Sequence, residues 1–190
     1  MRIVIFGGSF NPVHIGHLYI AEEIRTELKY DRVLFIPANI PAHKADRSGL
    51  APDARLQMLI TAVLNEKNYI TDSCDIDRGG ITFSIDTVRS IYDRYDFEGK
   101  PGFIIGDDLL DGFKTWKNSE KLIEMIDLIV VKRNISEGEE NFSFPYLTVN
   151  NSVLPVSSTE IRDRVKNRKT IKYLVPDAVI KIIENNGYYR

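Results

Sequence analysis

The sequence predicts a doubly wound α/β domain whose helices flank a parallel β-sheet. The first observation is an apolar, β-branched run at residues 2–6 that ends at Gly7-Gly8, as buried strands do. The second is the helical spacing of apolar residues over 17–29, and the third is another buried run, residues 32–37, that a proline closes. A strand, a helix and a strand within about 35 residues form the unit from which parallel sheets are built.

The same alternation continues along the chain without a repeat or a long linker. A polar loop is expected over 39–52, and further strands are predicted over residues 69–77, 102–106, 128–132 and 146–149. Helices are predicted over residues 53–66, with Asp53 as the N-cap, and over 84–95, 119–127, 158–167 and 176–186. Pro176 in the first turn and Gly187 just beyond the end are typical boundaries of the last helix. We expect one domain, residues 1–190, in which the region 158–190 forms the closing helices.

The composition argues against several classes of protein. Hydrophobic residues make up 43% and charged residues 27%, and the formal net charge is −2, so neither a nucleic acid nor a membrane surface is an expected partner. No apolar run approaches the ~18 residues of a transmembrane helix. Cys74 is the only cysteine, which excludes an intrachain disulfide and suits a reducing compartment, and we expect a cytoplasmic protein. Assembly into a homo-oligomer is left open.

Two of the three histidines lie in the stretch GGSFNPVHIGH, residues 7–17. This stretch follows the first strand, and doubly wound sheets bind ligands at the carboxyl ends of strands. The two glycines let the backbone approach a ligand closely, and the helix amides near Ile15 favour an anion. His14 and His17, three residues apart, can then donate to phosphate oxygens. The alternatives are two structural histidines that cap loops and, less in keeping with a helix N-terminus, a metal site.

A second segment with similar chemistry is VSSTEIR, residues 156–162. Ser157 and the glutamate three residues later have the spacing of a capping box, which predicts a helix start. Ser158 and Thr159 then lie in the first turn, and Arg162 lies one turn after Ser158 on the same face. A hydroxyl, helix amides and a guanidinium together suit a polyanion. A well-capped surface helix is the alternative interpretation.

Two common phosphate-binding motifs are absent from the sequence. No G-x-G-x-x-G follows the first strand and no G-x-x-x-x-G-K-[ST] occurs, which argues against a nicotinamide oxidoreductase and against a P-loop kinase or GTPase. The two segments described above instead resemble, in the same order, the G-G-[ST]-F-[DN]-P-x-H-x-G-H and [IV]-S-S-T-x-[IL]-R motifs of the nucleotidyltransferase superfamily. These enzymes transfer a nucleotidyl group to a phosphate or a similar acceptor.

Nearly the whole chain is similar to one branch of that superfamily, the bacterial-type nicotinate mononucleotide adenylyltransferases. The segments that carry the similarity are NIPAHK (39–44), ARLQML (54–59), DRGGITFSIDTV (77–88), FIIGDDLLDGFKTWKN (103–118) and YLVPDAVIKIIENNGYY (173–189). The resemblance implies a Rossmann-like nucleotidyltransferase fold and adenylyl transfer from ATP to nicotinate mononucleotide. It also implies that Mg²⁺ enters with ATP and that the protein itself holds no metal.

The resemblance assigns roles to individual residues of this chain. The implied catalytic residues are His14, His17, Lys44 and Arg162. The implied ATP-binding residues are Gly7, Gly8, Ser9, Phe10, Gly106, Asp108, Ser157, Ser158 and Thr159. The implied mononucleotide-binding residues are Thr82, Phe83, Ser84, Trp116 and Arg133. Trp116 would stack on the pyridine ring, and the alternative is a loop anchor that fills the core.

The chain departs from the family pattern at two places. Asp107 stands where alanine or serine is usual, and Thr82-Phe83-Ser84 stands where Ser-Tyr-Thr is common. The second departure lies in the segment that would recognise the pyridine ring, so the acceptor has alternatives. They are nicotinamide mononucleotide and phosphopantetheine, and a non-catalytic nucleotide-binding protein is the alternative of a different class.

Overall fold

The computed structural model describes residues 1–42, 50–132 and 144–190. Within these ranges the strands are β1 (Ile3–Gly8), β2 (Arg32–Pro37), β3 (Ile40–Pro41), β4 (Tyr69–Thr71), β5 (Ile81–Thr82), β6 (Gly102–Gly106), β7 (Asp127–Val131) and β8 (Leu147–Thr148). The α-helices there are α1 (Ile15–Glu27), α2 (Pro52–Val63), α3 (Cys74–Arg78), α4 (Ser84–Arg94), α5 (Ser119–Met125), α6 (Ser158–Lys166) and α7 (Asp177–Asn186). Six strands form a parallel sheet in the order β4-β2-β1-β6-β7-β8. This arrangement confirms the predicted fold class.

The strand order reverses at β1. The chain leaves β1 for β2 and β4 on one side and later returns to β6 on the other side, where Val4 pairs with Gly102. The carboxyl ends of β1 and β6 therefore flank the crevice in which doubly wound sheets bind ligands. Because Gly8 ends β1 and Gly106 ends β6, two of the segments predicted to bind a ligand lie side by side.

Helices cover both faces of the sheet, and the core has two layers. Val4 and Phe6 of β1 belong to the layer that contains residues of α1, α2, α6 and α7, whereas Ile3 and Ile5 belong to the layer that contains residues of α4 and α5. Both faces of the central strands are therefore shielded from water. This burial explains why these strands appear in the sequence as continuous apolar runs rather than as alternating patterns.

The strand predicted over residues 69–77 is wrong beyond Thr71. β4 ends there, and α3 begins at Cys74. The carboxylate of Asp72 accepts a hydrogen bond of 2.8 Å from the backbone N–H of Cys74. A local bond from side chain to backbone thus competes with strand pairing and favours a turn into a helix.

The region 39–52, predicted as a loop, contains the short strand β3. It pairs in parallel with β5, with Ile40 opposite Ile81, and strands of two residues leave no periodicity in a sequence. The prediction of Asp53 as an N-cap is also wrong. Ala51 occupies that position, and Asp53 lies inside the first turn, because Pro52 is the first helical residue, a position where proline is well tolerated.

The closing helices pack on the layer that contains α1. Ile161 of α6 and Val179 and Ile183 of α7 are fully buried in that layer. Gly187 has a φ of 66°, a left-handed conformation that glycine adopts without steric cost, and it ends α7 as predicted. Among the helices that the structure describes, none has the length and the apolar character needed to cross a membrane.

Candidate active site

A buried arginine of α2 holds the turn that follows β1. Arg55 is 1% exposed, and its guanidinium donates to the carbonyl oxygens of Ser9 at 2.7 Å, Ala38 at 2.7 Å and Asn39 at 2.9 Å. One cation thus ties the end of β1 to the end of β2. Sequence reasoning missed this residue. The available signal was its position three residues before the buried Met58, on the apolar face of α2.

The two histidines of the first motif lie together at the start of α1. His14 is the N-cap and is 5% exposed, and its ring stacks on that of His17 at a centroid distance of 3.6 Å. The backbone N–H of His14 donates to Nδ1 of His17 at 3.2 Å. Because Nδ1 is the acceptor in this bond, neutral His17 carries its proton on Nε2. The rings of Phe10 and His17 lie edge-to-face, with their centroids 5.0 Å apart.

The second motif starts a helix as predicted and packs directly on the first motif. Ser157 is the N-cap of α6, and its side chain accepts from the backbone N–H of Glu160 at 3.1 Å. The hydroxyl of Ser158 donates to the carbonyl oxygen of Pro12 at 2.9 Å. Residues 146 positions apart in the chain therefore meet at this point.

Arg162 completes the contact between the motifs. Its guanidinium donates to the carbonyl oxygen of Asn11 at 2.8 Å and to the hydroxyl of Thr159 at 3.1 Å. A guanidinium carries five N–H groups in a planar fork, so these two bonds leave donor capacity for an anion. The N-terminal ends of α1 and α6, each favourable to negative charge, converge on the turn at 9–13.

Close packing between the motifs depends on Gly16. A Cβ placed on this residue would lie 2.9 Å from Cγ1 of Val156 and 3.1 Å from Nδ1 of His14. Both distances are shorter than ordinary van der Waals contact. The glycine between the histidines therefore lets Val156, two residues before α6, approach α1, which the sequence alone does not show.

In the segment that follows β6, the side chain of Asp107 binds the neighbouring backbone. Asp107 accepts a hydrogen bond of 2.9 Å from the N–H of Asp108, and both belong to a 3₁₀ turn over Asp107–Leu109. This bond gives a structural reason for the aspartate at 107. Asp108 is exposed at the carboxyl end of β6, beside the end of β1.

The predicted mononucleotide residues lie where β5 passes into α4. The hydroxyl of Thr82 accepts from the backbone N–H of Asn39 at 3.0 Å, Phe83 is the N-cap of α4, and Ser84 is its first residue. Lys117 lies 4.6 Å from the centre of the Phe83 ring and also binds the carboxylate of Asp86. The structure therefore brings the tryptophan-containing loop and the start of α4 together.

Trp116 packs on a fully buried residue. Its ring lies 5.0 Å from that of Phe113, which is 0% exposed, and Trp116 itself is half-buried against the layer that contains α4 and α5. The structure thus shows the anchoring contact of this residue. The predicted positions Lys44 and Arg133 lie outside the described residues.

Two buried carboxylates support the segment between β4 and α4. The hydroxyl of Thr87 donates to the carboxylate of Asp75, 2.8 and 2.9 Å from its two oxygens, and Asp75 also contacts Arg78. Burial raises the pKa of the Asp75 carboxyl, against the opposing effect of these donors. Burial also raises the pKa of the Cys74 thiol, which keeps it protonated and unreactive. Asp75 and the other buried acid, Asp72, were not singled out from the sequence because both lie in the strand that was predicted over residues 69–77.

Asp72 is the second of these buried acids, and its pKa shifts in the opposite direction to that of Asp75. Burial alone would raise the pKa of Asp72, but donors from Tyr95 and the Cys74 N–H, with the charge of Arg94, outweigh burial and hold it below its usual value. The distances are 2.6 Å from the Tyr95 hydroxyl and 2.7 Å from Arg94. Asp72 is therefore ionised at neutral pH.

The donor set around the turn at 9–13 suits an anion. Imidazole, guanidinium, hydroxyl and helix amides donate hydrogen bonds, whereas divalent cations such as Mg²⁺ prefer oxygen ligands. Within the described ranges, no group of three or more His, Cys, Asp or Glu residues is arranged to hold a metal ion.

The chain is a doubly wound α/β protein in which the N-termini of α1 and α6 meet beside the switch point of the sheet, so the two motifs form one site. The model of the family described as cytidylyltransferase-like matches residues 5–164, and the chain belongs to this family. The comparison confirms the predicted resemblance.

Relatives of similar length carry a more specific name. A protein of Borrelia hermsii named "Probable nicotinate-nucleotide adenylyltransferase" is 42% identical over 189 residues, covering 100% of this chain and 98% of the relative. A protein of Bacillus licheniformis with the same name is 36% identical, with 99% and 98% covered. Among solved structures, Plasmodium falciparum nicotinic acid mononucleotide adenylyltransferase complexed with NaAD has a TM-score of 0.77 at 21% identity, with 99% and 97% covered. This last likeness concerns the fold.

Proposed function

We propose that this chain transfers the adenylyl group of ATP to nicotinate mononucleotide and so forms nicotinate adenine dinucleotide and pyrophosphate. The observation that carries the proposal is the contact between the two motifs, in which Ser158 and Arg162 bind the backbone of the turn that leads to His14. Full-length relatives in several bacteria bear the name of this enzyme. The predicted acceptor and the named activity of the relatives therefore agree.

The reaction needs positioned donors rather than a base. An oxygen of the mononucleotide phosphate, already ionised at pH 7, attacks the α-phosphorus of ATP. A new P–O bond forms, the bond from the α-phosphorus to the bridging oxygen breaks, and pyrophosphate leaves with the electron pair. Catalysis is then alignment together with stabilisation of charge on the phosphates. We assign the charge stabilisation to His14, His17 and Arg162, joined by Lys44, and to the amides at the starts of α1 and α6.

The remaining assignments follow the location of each segment. The turn at Gly7–Phe10 and the hydroxyls at Ser157–Thr159 would contact the ATP phosphates, and Gly106 with Asp108 would contact its ribose at the neighbouring strand end. The segment Thr82–Ser84 would meet the nicotinate, with Trp116 and Arg133 lining the same subsite. Mg²⁺ would be bound by ATP oxygens and water, as part of the substrate, because the described donors around the turn suit an anion. The cytoplasm, where ATP is abundant and thiols stay reduced, is the compartment we propose.

A pyrophosphate-release assay tests the function directly. The purified protein, ATP and Mg²⁺ are incubated separately with nicotinate mononucleotide, nicotinamide mononucleotide and phosphopantetheine. We expect the highest kcat/KM with nicotinate mononucleotide. A preference for either other acceptor would reassign the substrate, and no release with any of them would leave a non-catalytic nucleotide-binding protein.

Two substitutions at His17 separate its catalytic role from its structural one. His17→Ala removes the Nε2 donor and also the acceptor of the His14 N–H, so turnover should fall by on the order of 10²–10³-fold and stability by about 1 kcal/mol. His17→Asn can still accept from His14 N–H through its side-chain oxygen. It should recover the stability but not the turnover, as measured by thermal melts and steady-state kinetics. Near-normal kcat in either variant would contradict the assigned role.

A further inference from the structure

The last residues of the chain return to the first motif. After α7 ends, the N–H of Tyr188 donates to the carbonyl of Ile183 at 3.0 Å, and Tyr189 adopts a positive φ of 67°. The hydroxyl of Tyr189 then donates to Oδ1 of Asn11 at 2.6 Å, across 178 positions of sequence. The C-terminus thus reaches the turn that leads into α1.

Asn11 connects three separate parts of the chain. It is 3% exposed. Its backbone carbonyl accepts from Arg162, and its side-chain oxygen accepts from Tyr189. The next residue, Pro12, accepts from Ser158. Any displacement of Asn11 therefore moves the acceptor of Arg162 and the backbone that precedes His14.

Rings of the same segment hold Tyr189 in place. Tyr188 and Tyr189 lie 6.3 Å apart in an edge-to-face arrangement, and both pack against the core layer that contains α1 and α7. The hydroxyl therefore reaches Asn11 from a side chain whose motion is restricted by packing. A restrained donor loses little entropy when it makes its hydrogen bond, so the bond holds the turn effectively.

We infer that Tyr189 is a positioning residue, which acts through Asn11 to hold the turn at 9–13 against Arg162 and thereby sets the geometry of the ATP phosphate site. This inference rests on the proposed function for the identity of the ligand. Tyr189 itself contacts neither substrate in this assignment. Its effect is therefore confined to ATP, because the mononucleotide segment at 82–84 belongs to a different part of the site.

The test compares Tyr189→Phe with the matched control Tyr188→Phe, each of which removes one hydroxyl and retains the ring. Steady-state pyrophosphate release should show that Tyr189→Phe lowers kcat/KM for ATP about three- to tenfold, the range expected for one hydrogen bond. Its KM for the mononucleotide should match that of the wild type, and its thermal midpoint should fall by only about 2–4 °C, because one hydrogen bond of about 1 kcal/mol is lost. Tyr188→Phe should match the wild type in all three quantities.

The outcomes separate this inference from the proposed function. If the wild type turns over nicotinate mononucleotide and Tyr189→Phe has an unchanged kcat/KM for ATP, the inference is wrong. It is also wrong if the KM for the mononucleotide rises as much as that for ATP and the thermal midpoint falls by far more than one lost hydrogen bond explains, since that pattern indicates general loosening of the fold. If the wild type turns over no mononucleotide, the proposed function fails. Calorimetric titration with a non-hydrolysable ATP analogue then decides the inference, together with amide exchange, which Tyr189→Phe should accelerate at residues 9–14.

Discussion

The substitution Gly16→Ala adds a single methyl group between the two motifs and should weaken their contact. Gly16 lies within α1 between the two histidines. The added methyl would lie 2.9 Å from Val156 Cγ1, about 0.5 Å inside the 3.4 Å at which ordinary contact begins. The chain must relieve this overlap by moving Val156, and with it the start of α6, away from α1.

Two opposing effects set the change in stability. Alanine is the better helix former by about 1 kcal/mol, and overpacking costs about 1–3 kcal/mol. The free energy of unfolding should therefore fall by about 0–2 kcal/mol. Activity should fall more, because a misplacement of about 1 Å in an active site can cost about 100-fold in rate, and half that displacement corresponds to about tenfold.

The assay is a double-mutant cycle with Val156→Ala. Kinetics of pyrophosphate release and urea unfolding are measured for the wild type, Gly16→Ala, Val156→Ala and the double variant. Removing the Val156 methyl groups makes room for the new Cβ, so the double variant should recover at least half of the lost log(kcat/KM). Wild-type kcat/KM in Gly16→Ala, or a double variant no more active than the single one, would refute the reasoning.

Two further predictions concern the mononucleotide side and the buried acids. Trp116→Ala should raise the KM for the mononucleotide several-fold. Trp116→Phe retains a ring over Phe113, so its KM should lie between those of Trp116→Ala and the wild type. A loss of thermal stability with unchanged KM would show that Trp116 is only an anchor. Asp72→Asn should lower the free energy of unfolding by about 2 kcal/mol at pH 7, because charge-assisted bonds from Tyr95 and Arg94 are lost. Since the folded pKa of Asp72 lies below its unfolded value, that stabilisation is present above about pH 4 and disappears as the pH falls through the folded pKa. Urea unfolding of both proteins from pH 3 to 7 should therefore show converging curves at the acid end, and a constant difference would contradict the pKa assignment.

Two strands covered on both faces, β2 and β6, were predictable to the residue, whereas β1 and β7 shift from the predicted 2–6 and 128–132 to Ile3–Gly8 and Asp127–Val131. Residues 32–37 and 102–106 have their predicted bounds, because burial on both faces requires an unbroken apolar run and a proline or glycine ends it. The helix start at Ser157 was predictable for a similar reason, since a capping box joins residues three positions apart. In contrast, α3 occupies part of a predicted strand because the Asp72 carboxylate accepts a hydrogen bond from the nearby backbone N–H of Cys74. The pattern of apolar residues does not reveal such a bond.

The sequence by itself determined the α/β class, the glycine turn after the first strand, the capped helix of the second motif and the family. Each of these depends on residue types spaced within a few positions, and local spacing is preserved whatever the rest of the chain does. Only the tertiary structure decided that Arg162 meets Asn11, that Arg55 holds two strand ends and that Tyr189 reaches back across 178 positions. Such contacts form only when separate layers pack together, because their distances are set by the sheet and the helices between them.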